Sequence, residues 1–284
     1  MKPILRVDSH HHVWDLAVRD QPWTAQLPVL RRSFGFSELS PQLRDHHIDG
    51  TVLVQTINVA EETPELLLLA AREPMVLGVV GWVDLTAPDV ADRIAMLREA
   101  PGGQHLVGIR HQVQGELDPR WLCRPTVRQG LAAVADAELV YDLLVIPSQL
   151  NAAVETVAAV PGLRFVLDPG GKPRISDHEF EPWRSLIRRL ACYENVTCKL
   201  SGLVTQADAT AWTIDQLCPY ADILIEVFGP QRLMFGSDWP VCLLAASYAQ
   251  VLSVASELTA GLSQTDKESV FGGTASRWYG LVKR

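Results

Sequence analysis

The sequence predicts an α/β fold, a (β/α)8 TIM barrel that forms a single domain over residues 1–284. Short apolar and β-branched runs alternate with longer segments of helical period, which is typical of a parallel sheet covered on both faces. The chain has 284 residues and is 48% hydrophobic, and barrels of about 250 residues commonly form one domain. Eight such runs favour a closed barrel over an open doubly wound sheet. The predicted strands are residues 4–10, 51–57, 76–83, 106–112, 139–146, 163–168, 195–201 and 232–238.

The segments between the strands carry apolar residues three and four positions apart, as one buried helix face requires. The clearest sets are Val90, Ile94 and Leu97; Val127, Leu131 and Val134; Leu150, Val154 and Val157; and Trp183, Ile187 and Leu190. Pro88 opens one helical stretch, and Pro74, Pro101 and Pro161 close others, because proline lacks the N–H that a helix interior needs. These segments are therefore predicted as the helices that cover the barrel.

The connections narrow the choice of fold further. No G-x-G-x-x-G follows the first strand and no Walker loop occurs, so an open nucleotide-binding sheet loses support. The glycine-rich run GGKP at residues 170–173 is a weak signal that predicts a tight turn. The first connection, residues 13–39, is long and aromatic, and loops of this length are often functional. We expect it to cover the barrel mouth.

Composition excludes several classes of protein. A net charge of −8 and a pI near 5.5 argue against nucleic acid as a partner, because phosphate backbones require a basic surface. The longest aliphatic run, residues 66–71, is far shorter than the roughly 20 residues that span a bilayer. The five cysteines include no C-x-x-C pair, so neither a disulfide framework nor a structural zinc site is indicated. We expect a cytoplasmic protein that acts on a small molecule and has no membrane partner; a homo-oligomer is compatible with these features.

Polar residues at the predicted strand ends indicate the site, because barrel active sites lie at the carboxyl ends of the strands. Strand 1 ends in three consecutive histidines, and residues two apart share a strand face, so His10 and His12 point one way and His11 the other. Asp238 closes strand 8. Two imidazoles and a carboxylate are able to hold a divalent ion or to act directly on a carbonyl. His10, His12 and Asp238 are therefore the candidate catalytic residues, and the ligands of any bound metal.

Three further charged residues end strands and have more than one interpretation. Arg110 carries five donors that suit a carboxylate or a developing oxyanion, and a structural salt bridge explains it equally well. Lys199 either reaches the mouth as a substrate contact or pairs with an internal acid. Asp168 is expected to pair with Lys172 or to cap a turn.

Several motifs resemble the sugar-lactonase branch of the amidohydrolase superfamily, to which L-fuconolactonase and L-rhamnonolactonase belong. The motifs are DSHHHVW at 8–14, VVGWVDL at 79–85, GIRHQVQ at 108–114, CKLSGLVT at 198–205 and RLMFGSDWPVC at 232–242. The resemblance covers nearly the whole chain and implies hydrolysis of an aldonolactone to its aldonic acid. It also implies that Asp238 is the general base and that Arg110 and His111 contact the substrate. Trp82 and Trp239, like Trp23, are aromatic candidates for stacking on a sugar ring, with a role in the core as the alternative.

One position departs from the family pattern. Relatives usually read V-L-D-H-x-G-K-P at the end of strand 6, whereas this chain reads VLDPGGKP at 166–173, so Pro169 stands where a histidine is expected. Proline offers no side-chain ligand, and catalytic zinc normally has three protein ligands. We therefore expect no required cofactor, or a weakly bound divalent metal such as zinc. Alternatives to a lactonase are a lactone isomerase or decarboxylase on the same barrel, or a sugar-acid binding protein with weakened catalysis.

Overall fold

The computed structural model describes residues 4–282, so the first three and last two residues of the predicted domain lie outside it. Its sheet is parallel and runs in chain order from the first strand to the eighth. The strands are β1 (Val7–His11), β2 (Gly50–Val54), β3 (Val76–Gly81), β4 (Leu106–His111), β5 (Val140–Leu143), β6 (Arg164–Leu167), β7 (Val196–Leu200) and β8 (Leu233–Phe235). The predicted strands and the TIM-barrel fold are confirmed.

Backbone hydrogen bonds just beyond the end of β8 close the sheet onto β1. The His12 amide donates to the Trp239 carbonyl at 2.7 Å, and the Asp238 amide donates to the His10 carbonyl at 2.7 Å. This closure joins the histidine segment to the segment that carries Asp238. Residues at the two ends of the sequence are thereby brought together at the carboxyl ends of their strands.

Helices alternate with the strands and cover the barrel. They are α1 (Phe36–Asp45), α2 (Glu62–Arg72), α3 (Val90–Glu99), α4 (Pro125–Asp136), α5 (Leu150–Ala159), α6 (Trp183–Ala191), α7 (Leu203–Gln206), α8 (Ile214–Phe228), α9 (Tyr248–Leu258), α10 (Gln264–Glu268) and α11 (Thr274–Tyr279). The apolar sets predicted from helical spacing fall in α3, α4, α5 and α6, and in α6 Trp183, Ile187 and Leu190 are all buried. Along residues 4–282, every helix is too short or too polar to cross a lipid bilayer.

The barrel interior contains a chain of buried charged groups. The Lys199 ammonium lies 2.7 Å from Asp142 Oδ2 and 3.3 Å from Asp168 Oδ1, and Arg110 Nη1 lies 2.7 Å from Asp168 Oδ2. At the other end of this chain of charges, the Tyr279 hydroxyl of α11 donates to Asp142 at 2.8 Å. Buried charges are tolerated only when they are paired in this way. This chain of charges therefore links the amino end of the barrel interior to its mouth.

The pairing of Asp168 corrects one expectation from the sequence. Its partners are Arg110 and Lys199, not Lys172, because β4 and β7 direct those two cations into the barrel beside it. Burial opposes ionisation of Asp168, but the neighbouring positive groups outweigh it and hold its pKa below the usual value. Asp168 is therefore an anion that fixes the groups around it.

The first connection covers the barrel mouth, as the sequence predicted. Trp14 exchanges backbone hydrogen bonds with Phe34 at 3.0 and 2.8 Å. The Trp23 indole donates to the Gln21 side chain at 2.8 Å, and Gln21 in turn donates to the Thr56 hydroxyl at 2.8 Å. These bonds fasten the connection to the segment after β2, so the Trp23 ring stands over the mouth.

Candidate functional site

A cavity of about 160 Å³ opens at the carboxyl ends of the strands. Its size suits a small molecule rather than a polymer, and its walls combine charged, amide and apolar groups. It is lined by His10, His12, Trp23, Thr56, Arg110, Gln112, Gln114, Leu144, Pro169, Lys172, Asp238 and Val241. The three candidate catalytic residues predicted from the sequence all lie in this lining.

The histidine run divides between two faces of β1, as period-two geometry predicted. The rings of His10 and His12 both line the cavity, with centroids 4.9 Å apart. His11 points the other way. Its Nε2 lies 2.9 Å from the Thr51 hydroxyl of β2, and its ring lies 5.8 Å from that of Phe36 in α1. Two of the three histidines are therefore available to chemistry.

Contacts at Nδ1 orient the ring of each cavity histidine. His12 Nδ1 lies 2.7 Å from the Val54 carbonyl, which only accepts, so Nδ1 is the donor and Nε2 is the ring nitrogen left toward the cavity. His10 Nδ1 lies 3.0 Å from the Ser201 hydroxyl and 3.1 Å from the carboxylate of Asp168. Burial also lowers the pKa of His10 well below its usual value, so its ring is neutral at pH 7. Both Nε2 atoms therefore face the cavity.

These two nitrogens converge on Asp238. Its Oδ1 lies 3.5 Å from His10 Nε2 and 3.4 Å from His12 Nε2, and one ligand atom from each of the three residues lies within 4.8 Å of the others. Two imidazole nitrogens and a carboxylate that converge in this way are a ligand set typical of divalent cations. The donor set thus fits a divalent metal. Pro169 lies in the same wall and contributes no ligand.

Arg110 lines the cavity, but most of its donors are already used. Nη1 donates to Asp168 at 2.7 Å, and Nη2 donates to the side chain of Gln55 at 3.3 Å and to its backbone carbonyl. Nη1 also lies 3.4 Å from His10 Nε2. The guanidinium is therefore a fixed positive charge beside the histidine pair, in the structural ion pair that the sequence left open as an alternative.

Comparison with known proteins shows the family of this chain. A sequence model described as amidohydrolase matches residues 7–281. The chain belongs to the amidohydrolase family. An L-fucono-1,5-lactonase of Burkholderia multivorans is 39% identical to this amidohydrolase over 289 residues, which cover 98% of this chain and 96% of that protein.

Two further relatives are similar over nearly their full length. An L-fucono-1,5-lactonase of Burkholderia ambifaria is 36% identical, and the match covers 96% of this chain and 95% of that protein. A crystal structure of a Burkholderia multivorans amidohydrolase with bound zinc is 39% identical and has a TM-score of 0.93, with coverage of 98% of this chain and 100% of that one. The amidohydrolase fold is thus shared along the whole barrel.

The sequence also predicted His111 and Trp82 as substrate contacts, and both lie outside the cavity lining of this amidohydrolase. The Trp82 indole donates to His111 Nδ1 at 3.0 Å, so the ring hydrogen of His111 is on Nε2, which donates to Glu116 at 2.8 Å. The His111 ring stacks on Trp121 with centroids 4.1 Å apart. This cluster supports the loop that carries Gln112 and Gln114.

Lys199 and Trp239, the remaining predicted contacts, also lie away from the lining. Lys199 is fully buried within the barrel between two carboxylates. Trp239 packs edge-on against Phe34 at 5.6 Å under the first connection. We assign both residues a structural role, which the sequence had left open.

Several lining residues were missed by sequence reasoning. Gln112 lies two positions after Arg110 and therefore on the same strand face, so the alternation of side chains along a strand could have predicted it. Thr56 follows β2 in the same manner. Lys172 gave no such signal, because it reaches the cavity from a turn whose direction a sequence pattern does not specify.

Acid should destabilise the protein partly through His111. Burial lowers the pKa of His111 below that of the unfolded chain, with Glu116 opposing the shift. Between the two pKa values His111 is protonated in the unfolded chain but not in the folded protein. The contribution of His111 to the free energy of unfolding is therefore fully present above the unfolded pKa of about 6.5 and is lost as the pH falls below it. Between pH 7.5 and 5.5 we expect the unfolding free energy of His111→Gln to fall less than that of the wild type. The difference between the two proteins should be at most about 1.4 kcal/mol per pH unit.

Urea denaturation at several pH values measures this slope. His178 is exposed, so His178→Gln is the matched control and should keep the slope of the wild type. Equal slopes for His111→Gln and the wild type would show that His111 does not contribute to acid sensitivity.

Proposed function

We propose that this amidohydrolase hydrolyses a sugar-derived aldonolactone, similar to L-fucono- or L-rhamnonolactone, to the open aldonic acid. The observation that carries the proposal is the convergence of His10, His12 and Asp238 on one point of a small cavity at the barrel mouth. The names of the L-fucono-1,5-lactonase relatives support the substrate class. Such an enzyme acts in carbohydrate metabolism.

Asp238 is the proposed general base. Its carboxylate takes a proton from water while the water oxygen attacks the lactone carbonyl carbon, and the carbonyl oxygen becomes an oxyanion. When the tetrahedral intermediate collapses, the bond between the carbonyl carbon and the ring oxygen breaks, and Asp238 returns its proton to the leaving alkoxide. General-base catalysis of this kind typically contributes about 10²–10⁴ in rate. No covalent bond to the protein is needed.

His10, His12 and Asp238 are also the residues that would hold a divalent metal. When bound, such a metal polarises a carbonyl oxygen and lowers the pKa of water. Two features of the chain favour weak binding. Pro169 contributes no ligand to the wall, and the fixed charge of Arg110 lies 3.4 Å from the ligand nitrogen of His10. The metal is therefore proposed as weakly held or not required.

The remaining walls suit a sugar. Trp23 offers an aromatic face, 37% exposed, above the mouth, and the amides of Gln112 and Gln114 are suited to hydroxyl groups. Leu144 and Val241 supply apolar contacts. Arg110 places a fixed positive charge beneath the substrate, and its Nη atoms donate to Asp168 and Gln55 rather than to the sugar.

Acid release from a panel of lactones tests the proposal. L-fucono-, L-rhamnono-, D-galactono- and D-arabinonolactone are each offered with chelator and with added zinc, and NMR identifies the product. We expect an aldonic acid as the product, and at most a moderate loss of rate on chelation. A complete loss on chelation would overturn weak metal dependence, and an isomerised or decarboxylated product would overturn lactone hydrolysis.

A further inference from the structure

The cavity needs a positive group for the oxyanion, and most of its polar residues are unable to supply one. The Nε2 atoms of His10 and His12 are directed at the carboxylate of Asp238, at 3.5 and 3.4 Å, and their Nδ1 atoms lie against Ser201 and Val54. The donors at the ends of the Arg110 fork are directed at Asp168 and Gln55. A positively charged donor for the developing oxygen anion must therefore come from another side chain.

Lys172 has the required donors. Within residues 4–282, its ammonium forms neither an ion pair nor a hydrogen bond with the protein, although it lines the cavity together with Asp238. Burial lowers the pKa of Lys172, and the negative charges of Asp238 and Asp168 oppose that shift. An ammonium with three unused hydrogens in a walled cavity is a ready partner for an anionic oxygen.

The backbone of the turn after β6 presents this side chain to the cavity. Gly170, Gly171 and Lys172 have φ angles of 46°, 70° and 47°, all in the left-handed region. The Lys172 amide donates to the Pro169 carbonyl at 3.0 Å, and the Trp183 indole donates to the Gly170 carbonyl at 2.9 Å. A lysine in this region is strained, and such strain persists mainly where the surrounding structure holds it, often at functional sites.

We propose that the Lys172 ammonium binds the oxygen anion that develops as water attacks the lactone carbonyl, and the carboxylate of the aldonate product. The assignment rests on the proposed lactone hydrolysis and adds a catalytic residue to it. Lys172 neither gains nor loses a proton in this role. Its hydrogens strengthen their bonds to the substrate oxygen as negative charge passes from Asp238 to that oxygen.

Three variants test the assignment. Lys172→Met removes the charge at nearly constant volume, and Lys172→Arg retains it. Lys267 is a partly buried lysine away from the cavity that donates to the Ala260 carbonyl, so Lys267→Met is the matched control. Loss of one oxyanion donor commonly costs about 10²–10³ in kcat, so we expect kcat of Lys172→Met to fall by that factor. Lys172→Arg should recover part of the lost activity, and Lys267→Met should keep the kcat of the wild type. Thermal midpoints should stay near that of the wild type.

Binding of L-fuconate, measured by calorimetry, provides a second readout that needs no turnover. A bond to a charged group should make the affinity of the wild type at least about tenfold higher than that of Lys172→Met. A Lys172→Met variant with kcat and L-fuconate affinity within about threefold of the wild type would overturn the proposal, and so would a wild type that does not bind L-fuconate. If only the proposed lactonase function is wrong, the wild type will still bind L-fuconate more tightly than Lys172→Met does, but no lactone will be turned over.

Discussion

Replacement of Asp238 with asparagine should lower kcat/KM for the lactone by about 10²–10⁴-fold, because the amide is unable to accept the proton of water. The fold should survive the change. Asp238 has a φ of 56°, a left-handed conformation that asparagine adopts readily, and its backbone amide bonds to His10 in either variant. Steady-state kinetics on the best lactone of the panel, with circular dichroism as a check on folding, measures the effect.

Asp84 supplies the matched control for this prediction. It also follows a strand, and its carboxylate accepts hydrogen bonds from Thr86 that an asparagine oxygen is able to accept. Asp84→Asn should therefore keep wild-type kinetics. An Asp238→Asn enzyme that retained a tenth or more of wild-type kcat/KM would remove Asp238 from the role of general base.

Replacement of Lys199 with methionine should be the most destabilising of these changes, with a loss of about 3–5 kcal/mol of unfolding free energy. Lys199 is the cation shared by Asp142 and Asp168, and all three side chains are fully buried. Without it two carboxylates face each other with less compensation, and burial already raises the pKa of Asp142. Urea denaturation, with one slope fitted to both proteins, measures the difference.

A second substitution distinguishes the charge of Lys199 from its packing. Adding Asp142→Asn to Lys199→Met removes the carboxylate that lies closest to the ammonium, so the double variant should recover part of the lost stability. Tyr279 keeps a partner, because the asparagine oxygen still accepts its hydroxyl. A loss below about 1 kcal/mol in Lys199→Met, or no recovery in the double variant, would contradict a stabilising role for this ion pair.

Local patterns were sufficient to predict much of the fold and the centre of the site. Strand and helix periods follow from burial, and the alternation of side chains along β1 separates His10 and His12 from His11 without knowledge of the fold. Asp238 follows from the rule that barrel sites lie at strand ends. Each of these inferences depends only on neighbours in sequence or on the architecture.

Contacts between distant strands were harder to predict, because they depend on the register and tilt of the closed barrel. Asp168 was expected beside Lys172, but β4 and β7 bring Arg110 and Lys199 to it instead. His111 follows Arg110 directly in sequence, yet it lies on the opposite strand face and packs among aromatic rings. A residue type at a strand end indicates a site only when its face is known as well.

The buried chain of charges also constrains how the protein is made. Tyr279 lies near the end of the sequence, whereas its partner Asp142 lies near the middle. During synthesis β1 leaves the ribosome before β8, which closes the sheet onto it, and Asp142 leaves before Tyr279. Until then β1 has an unpaired edge and Asp142 lacks one of its donors. Docking of β8 therefore removes an open strand edge, a feature that favours aggregation, and docking of α11 completes the buried chain of charges.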